Sequence, residues 1–188
     1  MKVIIDTSSL LSLVRYYLPF DKKNKLFKFI KKEIENGNII VIDAVYQECE
    51  YTSKGIVLKT LDYLKEKDFK KTYKLPLKTK DLLPPSTKKF YNLLNDNFRT
   101  PLSRRLNEAE FEERKKEFLE TADARMIILA LIKKGEKEDV TIITEESEIG
   151  NDHKAFKKIP ALCKILKINV MTLPELLDTF EGIDVEFK

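Results

Sequence analysis

Two kinds of hydrophobic pattern alternate along the 188-residue chain. Short continuous apolar runs, typical of buried strands, occupy residues 3–5, 39–42, 140–143 and 168–171. Between them, apolar residues recur every three or four positions, as they do on the buried face of a helix. Strands that are apolar throughout occur in parallel sheets covered by helices on both faces. The pattern therefore predicts an α/β fold, with three α/β/α layers around a central, mainly parallel sheet of four or five strands.

Capping residues and helix breakers locate the predicted helices. They cover residues 10–17, 21–36, 57–64, 86–97, 104–119, 122–132 and 156–166, with one more after Asp43 and a short one from Pro174. The segment 122–132 is the most apolar of them and predicts a core helix that ends at Gly135. Asp123 is its single acidic residue, which is unusual in a helix otherwise suited to burial.

The middle of the chain has a different, basic character. Residues 65–90 contain nine lysines against three acidic residues, and three prolines interrupt them. We expect an edge strand near 69–73 and treat 65–120 as a variable, basic and helical insertion within a single domain spanning 1–188. Six lysines are candidates for phosphate contacts, although solubilising the surface explains them equally well. They are Lys70, Lys71, Lys74, Lys78, Lys157 and Lys158.

Composition limits the available chemistry. Two cysteines and a single histidine, His153, exclude a disulfide scaffold, a cysteine-based zinc site and a multi-histidine metal centre. Five glycines without a glycine-rich turn exclude phosphate-binding and dinucleotide-binding loops. The net charge of +4 permits a polyanionic partner. No apolar run approaches the ~18 residues of a membrane span, and no secretory signal is apparent. We therefore expect a cytoplasmic protein without a membrane partner, whose catalysis, if any, uses carboxylates.

Several acidic residues lie where ligands bind in parallel sheets, beyond the carboxyl ends of the strands. Asp6 follows the first strand, and Glu48 lies on the helix after the second. Asp123 opens the core helix, and Glu146, or its neighbour Glu145, follows the third strand. Taken singly, each could be a helix cap or part of a solvated surface. Taken together, oxygen ligands without a Cys or His cluster favour Mg²⁺ or Mn²⁺ over Zn²⁺.

The segments around these acids share a sequence pattern. They read VIIDTSSL at 3–10, AVYQEC at 44–49, TADARMIILA at 121–130 and TEE at 144–146. In this order, the four segments resemble the motifs of PIN domains (named for the PilT N-terminus), in the toxin-like (VapC-like) branch. The resemblance covers about 1–55 and 120–178. One departure is Glu146, where the family has Asp.

The resemblance implies a function as well as a PIN-like fold. It implies a nuclease, most often a ribonuclease, that hydrolyses RNA phosphodiester bonds with one or two Mg²⁺ or Mn²⁺ ions. The ions would be held by Asp6, Glu48, Asp123 and Glu146, with Glu145 as an alternative fourth ligand. Thr7, Ser8 and Thr144 would orient the Asp6 carboxylate by hydrogen bonds. The expected partners are RNA, an antitoxin protein if the chain is the toxin of a toxin–antitoxin pair, and a second copy in a homodimer.

Two other functions remain open at this point. A PIN-like fold without activity would serve as a binding module for RNA or a partner protein. The extra methylene of Glu146 and the crowded neighbours Glu50 and Glu145 leave that possibility open. A phosphotransferase of the haloacid-dehalogenase type also has an Asp after its first strand. That class requires a second Asp two residues later, where this chain has Ser8.

Overall fold

A four-stranded parallel sheet forms the centre of the protein. The computed structural model describes residues 1–148 and 154–180. Its strands are β1 (Lys2–Ile5), β2 (Ile39–Ile40), β3 (Val140–Ile143) and β4 (Asn169–Met171). They lie in the order β2-β1-β3-β4, and each neighbouring pair is parallel. The α/β class and the parallel sheet predicted from the apolar runs are therefore confirmed.

Helices make up most of the rest of the described chain. The α-helices are α1 (Thr7–Ser12), α2 (Lys25–Glu35), α3 (Asp43–Tyr51), α4 (Ile56–Thr60), α5 (Lys67–Tyr73), α6 (Thr87–Asn95), α7 (Glu108–Glu120), α8 (Ala122–Gly135), α9 (Ile159–Leu166) and α10 (Leu173–Thr179). A π-helical turn (Leu13–Tyr17) extends α1, and short 3₁₀ turns occupy Leu18–Phe20, Thr52–Gly55, Asp62–Lys65 and Ser103–Arg105. In the described residues, no helix has both the length and the apolar content needed to cross a membrane.

The helices cover both faces of the sheet. The connection after β1 leads to β2 on one side, whereas the later connections lead to β3 and β4 on the other. Because crossovers between parallel strands are right-handed, α2 covers one face, and α8 and α9 cover the opposite face. In agreement, α2 packs on β2, α8 on β3 and α9 on β4. The result is the expected three-layer α/β/α arrangement.

The buried core follows from the apolar runs and the helix α8. The apolar side chains of β1 and β3 are buried, and so are seven of the 14 residues of α8. The Thr121 side chain caps α8 by accepting the backbone N–H of Ala124. Capping therefore fixes where α8 begins, which places Asp123 in its first turn.

The expected edge strand near 69–73 is wrong, because these residues belong to α5. Phe69 and Tyr73 are four residues apart, and their ring centroids lie 4.7 Å apart, a contact that a helix allows and an extended strand does not. Several boundaries also differ, among them those of β2 and α2. The strand β2 has two residues instead of four, and Ile42 forms an isolated bridge with Leu77. The helix α2 begins at Lys25, because the Asp21 carboxylate accepts backbone N–H groups of its first turn.

Candidate functional site

The site lies where the strand order changes direction, at the carboxyl ends of β1 and β3. The chain leaves these neighbouring strands toward opposite sides, which opens a crevice beyond their ends. Ile5 pairs with Ile143 at the last position of both strands. Asp6, the residue directly after β1, donates its backbone N–H to the Ile143 carbonyl. Asp6 and Thr144 are therefore brought side by side by the sheet register.

The Asp6 carboxylate is buried and held in one orientation. Its Oδ1 accepts the backbone N–H of Thr7 at 2.7 Å, so Asp6 caps α1. Its Oδ2 accepts the Ser8 hydroxyl at 2.5 Å and the Thr144 hydroxyl at 2.9 Å. Ser8 and Thr144 therefore orient Asp6, the role implied for them by the PIN resemblance.

Thr7 forms hydrogen bonds to two of the acids, Asp6 and Glu48. Its hydroxyl donates to Glu48 Oε2 at 2.6 Å, and only its backbone N–H reaches Asp6. Thr7 therefore orients Asp6 through its backbone N–H and Glu48 through its hydroxyl. The contact joins α1 to α3, two helices that pack together. It positions Glu48 next to the end of β1.

Asp123 enters the site from the first turn of α8. Burial and then the negative charges of Glu146, Asp6 and Glu48 raise the pKa of Asp123 to about 7, against the opposing charge of Lys154. A carboxyl group responds in this way when other carboxylates are near and cations do not neutralise them. The four acids are therefore neighbours in space although they come from separate elements.

The charges of Asp6, Glu146 and Lys154, which act on Asp123, also act on Glu48. Partial loss of hydration raises the pKa of Glu48, and the charges of Asp6 and Glu146 act in the same direction. The Thr7 hydroxyl and Lys154 act in the opposite direction. We call these four residues the acidic cluster: Asp6, Glu48, Asp123 and Glu146.

The structure distinguishes the two candidates for the fourth acid. The Glu146 carboxylate accepts the Ile159 N–H at 3.2 Å, at the start of α9, and its charge acts on both Asp123 and Glu48. The Glu145 carboxylate instead accepts the Leu173 N–H at 2.7 Å, at the start of α10. Helix N-termini attract carboxylates, and two different helices hold these neighbours apart. Glu146 therefore belongs to the acidic cluster, and Glu145 caps a helix.

The oxygen atoms of the acidic cluster bind protein donors in this structure. Asp6, Glu48 and Glu146 accept hydrogen bonds from hydroxyl or backbone groups. Within residues 1–148 and 154–180, no three Asp, Glu, His or Cys side chains are grouped closely enough to share one metal ion. The cluster supplies the oxygen ligands that Mg²⁺ and Mn²⁺ prefer. Joint coordination of an ion would require some of these side chains to rotate.

Comparison with known proteins places the chain in a family. A family described as a domain of unknown function (DUF4411) matches residues 88–182, which is half of the chain. The chain belongs to the DUF4411 family. Neither the curated proteins nor the solved structures gave a match.

The DUF4411 match covers only part of the acidic cluster. It includes Asp123 and Glu146, whereas Asp6 and Glu48 lie before it. The family description assigns no activity to this DUF4411 protein. His153 lies outside the described residues.

One residue of the site had no signal in the sequence. Lys154 is exposed, and its charge acts on both Asp123 and Glu48. It also lines the same cavity as Asp123. Nothing in the sequence distinguishes Lys154 from the other 34 basic residues of the DUF4411 chain. Predicting its role would require knowing in advance that Lys154 lies close to Asp123, at the start of α8.

Thr141, within β3, and Thr144, directly after it, give a matched test of the hydrogen bond to Asp6. Replacing Thr144 by Val should lower the free energy of unfolding by about 1–3 kcal/mol, because the Asp6 carboxylate loses a donor. The Thr141 hydroxyl is also buried but has no hydrogen-bond partner among the described residues. Thr141→Val should therefore leave stability unchanged or raise it. Urea unfolding of both variants measures the difference, and equal losses would contradict the role of Thr144.

Proposed function

We propose that this protein is a Mg²⁺- or Mn²⁺-dependent ribonuclease whose ion is held by the acidic cluster. The observation that carries the proposal is the convergence of four carboxylates from distant parts of the sequence. Asp6 follows β1, Glu48 lies on α3, Asp123 opens α8 and Glu146 follows β3. Burial, and then the charges of the other three acids, raise the pKa of Asp123. Such crowding is unfavourable without a cation and becomes favourable when one binds.

The chemistry of the ligand set supports a hard divalent ion. Carboxylate oxygens suit Mg²⁺ and Mn²⁺, and the two cysteines of the chain, Cys49 and Cys163, are buried away from solvent. When bound, such an ion would supply Lewis acidity, which activates water and stabilises the negative charge that develops on a phosphodiester.

The residues around the acids have separate roles in this proposal. Ser8 and Thr144 hold the Asp6 carboxylate in one orientation, and Thr7 does the same for Glu48. These hydrogen bonds limit the rotamers that the Asp6 and Glu48 side chains can adopt when they bind an ion. Lys154 carries a positive charge that acts on both Asp123 and Glu48. It is therefore placed to attract the phosphate group of a substrate toward the cluster.

A binding module without nuclease activity is the second candidate function. It is favoured by the hydrogen bonds that already occupy oxygens of Asp6, Glu48 and Glu146. An ion must compete with these donors, and a chain that never binds one would keep them. The toxin role, an antitoxin and a homodimer follow from the resemblance to PIN domains alone and stay predictions.

The direct test is RNA cleavage with a pair of matched variants on α3. The wild-type chain should cleave a labelled single-stranded RNA in Mn²⁺ or Mg²⁺ and stop in EDTA. Glu48→Gln should reduce the rate at least about 100-fold, because one carboxylate of the cluster loses its charge. The control is Glu50→Gln, since Glu50 is exposed and two residues further along the helix, about 200° away. It should retain the wild-type rate within about twofold.

Two results would contradict the nuclease proposal. One is cleavage that persists in EDTA, and the other is equal loss of activity in Glu48→Gln and Glu50→Gln. Thermal melting separates the second candidate. A wild-type chain that cleaves nothing and melts at the same temperature with and without Mn²⁺ would favour the binding module.

A further inference from the structure

A basic groove leads away from the acidic cluster. A cavity of about 390 Å³ is lined by Asp123 together with Lys154 and Lys157. A second cavity, of about 440 Å³, is lined by Lys157 and Lys158. The two cavities share Lys157, so they adjoin. We call this surface the basic groove and define it by Lys154, Lys157 and Lys158.

The lysines of the basic groove carry charge that the described residues do not neutralise in direct ion pairs. Other basic residues of the two cavities are paired: Arg114 with Glu117 at 2.8 Å and Lys164 with Glu148 at 3.0 Å. Within the described ranges, Lys154, Lys157 and Lys158 form no salt bridge. Lysines that are close together and unpaired attract a polyanion, because binding it removes their mutual repulsion.

The backbone that carries these lysines is firmly attached to the rest of the fold. The Lys157 N–H donates to the Phe98 carbonyl at 2.9 Å. Thr100 donates its N–H to the Ala155 carbonyl and its hydroxyl to the Lys154 carbonyl, at 3.1 and 2.8 Å. Between the lysines, the Phe156 ring is buried and stacks on Phe118 with centroids 4.5 Å apart. The starting points of the lysine side chains are therefore fixed before any ligand binds.

The four candidate lysines in the middle of the chain line neither of these two cavities. The Lys70 ammonium lies over the ring of Tyr46 on α3, 4.7 Å from its centroid. Tyr46 is two residues before Glu48, and two helical positions differ by about 200°. Lys70 is therefore on the side of α3 that faces away from the acidic cluster. Lys71, Lys74 and Lys78 are exposed at the end of α5 and in the segment after it.

We infer that a single strand of RNA runs from the acidic cluster along the basic groove, with successive phosphates bound by Lys154, Lys157 and Lys158. This inference rests on the proposed nuclease function, because it takes the acidic cluster as the point of cleavage. Each cavity has the size of a small-ligand pocket, about 300–1,000 Å³, and holds one nucleotide. Nucleotides can be splayed into neighbouring cavities in a single strand but not within a duplex.

The test compares two pairs of lysines in a chain that cannot cut the probe. In an Asp123→Asn background, the affinity for a fluorescent 12-nucleotide single-stranded RNA is measured by anisotropy at several salt concentrations. Lys157→Ala/Lys158→Ala should weaken binding at least about tenfold. The slope of the logarithm of the binding constant against the logarithm of the salt concentration should become shallower by about 1.4. Each phosphate contact on a single strand contributes about 0.7 to that slope, and two contacts are removed. Lys154 is left in place because its charge also acts on the acidic cluster.

The control pair is Lys71→Ala/Lys78→Ala, which removes the same charge and should change affinity less than about twofold. Lys157→Arg/Lys158→Arg should keep the wild-type affinity, because the charge is retained. If the double alanine variant does not fold, Lys158→Ala alone should give about a threefold loss.

Three results would overturn the inference: no RNA binding by the parent chain, equal losses in the groove and control pairs, or a duplex RNA that binds as tightly as the single strand. Failure of the nuclease proposal looks different. In that case the groove variants weaken RNA binding as expected, but the wild-type chain shows no cleavage that depends on Mn²⁺.

Discussion

Asp123→Asn should abolish metal-dependent RNA cleavage, with a loss of at least about 100–1,000-fold in kcat/KM. The substitution keeps the shape of the side chain but removes its negative charge. Burial and then the charges of Glu146, Asp6 and Glu48 raise the pKa of the Asp123 carboxyl group, so the other three acids all act on Asp123. An ion held by the acidic cluster would lose a ligand in the most crowded position. Cleavage of a labelled RNA in Mn²⁺ measures the effect.

The matched control is Glu113→Gln on the neighbouring helix α7. Glu113 is exposed and is not among the charges that chiefly shift the pKa of Asp123 or Glu48. Its substitution should leave cleavage unchanged within about twofold. An Asp123→Asn chain with near wild-type activity would remove Asp123 from the site and, with it, the proposed arrangement of ligands.

Asp123→Asn, which should lower activity, should raise the stability of the fold when divalent ions are removed. In EDTA at pH 8, Asp123→Asn should unfold at a higher urea concentration than the wild type. Its free energy of unfolding should rise on the order of 2–4 kcal/mol, since one unit of pKa shift corresponds to about 1.4 kcal/mol. The cause is the charged Asp123 carboxylate, which is unfavourable in the folded protein because it is buried among other acids.

The pH dependence of this gain has a definite sign. The folded pKa of Asp123 is about 7, against a model-peptide value of 3.8. Between these values the folded chain binds a proton that the unfolded chain does not, so wild-type stability rises as the pH falls. The advantage of Asp123→Asn should therefore be full above about pH 7 and vanish near pH 4. Glu113→Gln should give a difference within about 0.5 kcal/mol at every pH. An advantage that grows toward low pH would contradict the argument.

The activity and stability predictions for Asp123→Asn have the same cause, the closeness of Asp123 to other carboxylates. Without an ion, burial and the neighbouring acids disfavour the charged forms of Asp123 and Glu48. A bound cation would reverse the sign of the interaction with those neighbours. Saturating Mn²⁺ should therefore raise the melting temperature of the wild type and have much less effect on Asp123→Asn. Groups arranged for binding rather than for stability are typical of functional sites.

The sequence predicted the fold well where each element carries its own signal. The continuous apolar runs gave β1 and β3 nearly to the residue, and the apolar segment after Thr121 gave α8. Prediction was weaker where the spacing of apolar residues is ambiguous. Phe69 and Tyr73 fit a strand by composition, but contact between their rings requires a helix. The start of α2 was also misplaced, since it depends on which backbone N–H groups the Asp21 side chain accepts.

The sequence by itself determined the α/β class and the positions of four acids beside their strands and helices, because short-range patterns of burial and capping encode both. Only the tertiary structure decided what depends on partners distant in the chain. The N-termini of α9 and α10 capture Glu146 and Glu145 separately. The Thr7 hydroxyl reaches Glu48 rather than Asp6. Lys154 lies beside Asp123 because backbone hydrogen bonds hold its segment against residues 98–100. Charges and hydrogen bonds act through space, and the order of residues along the chain does not specify those distances.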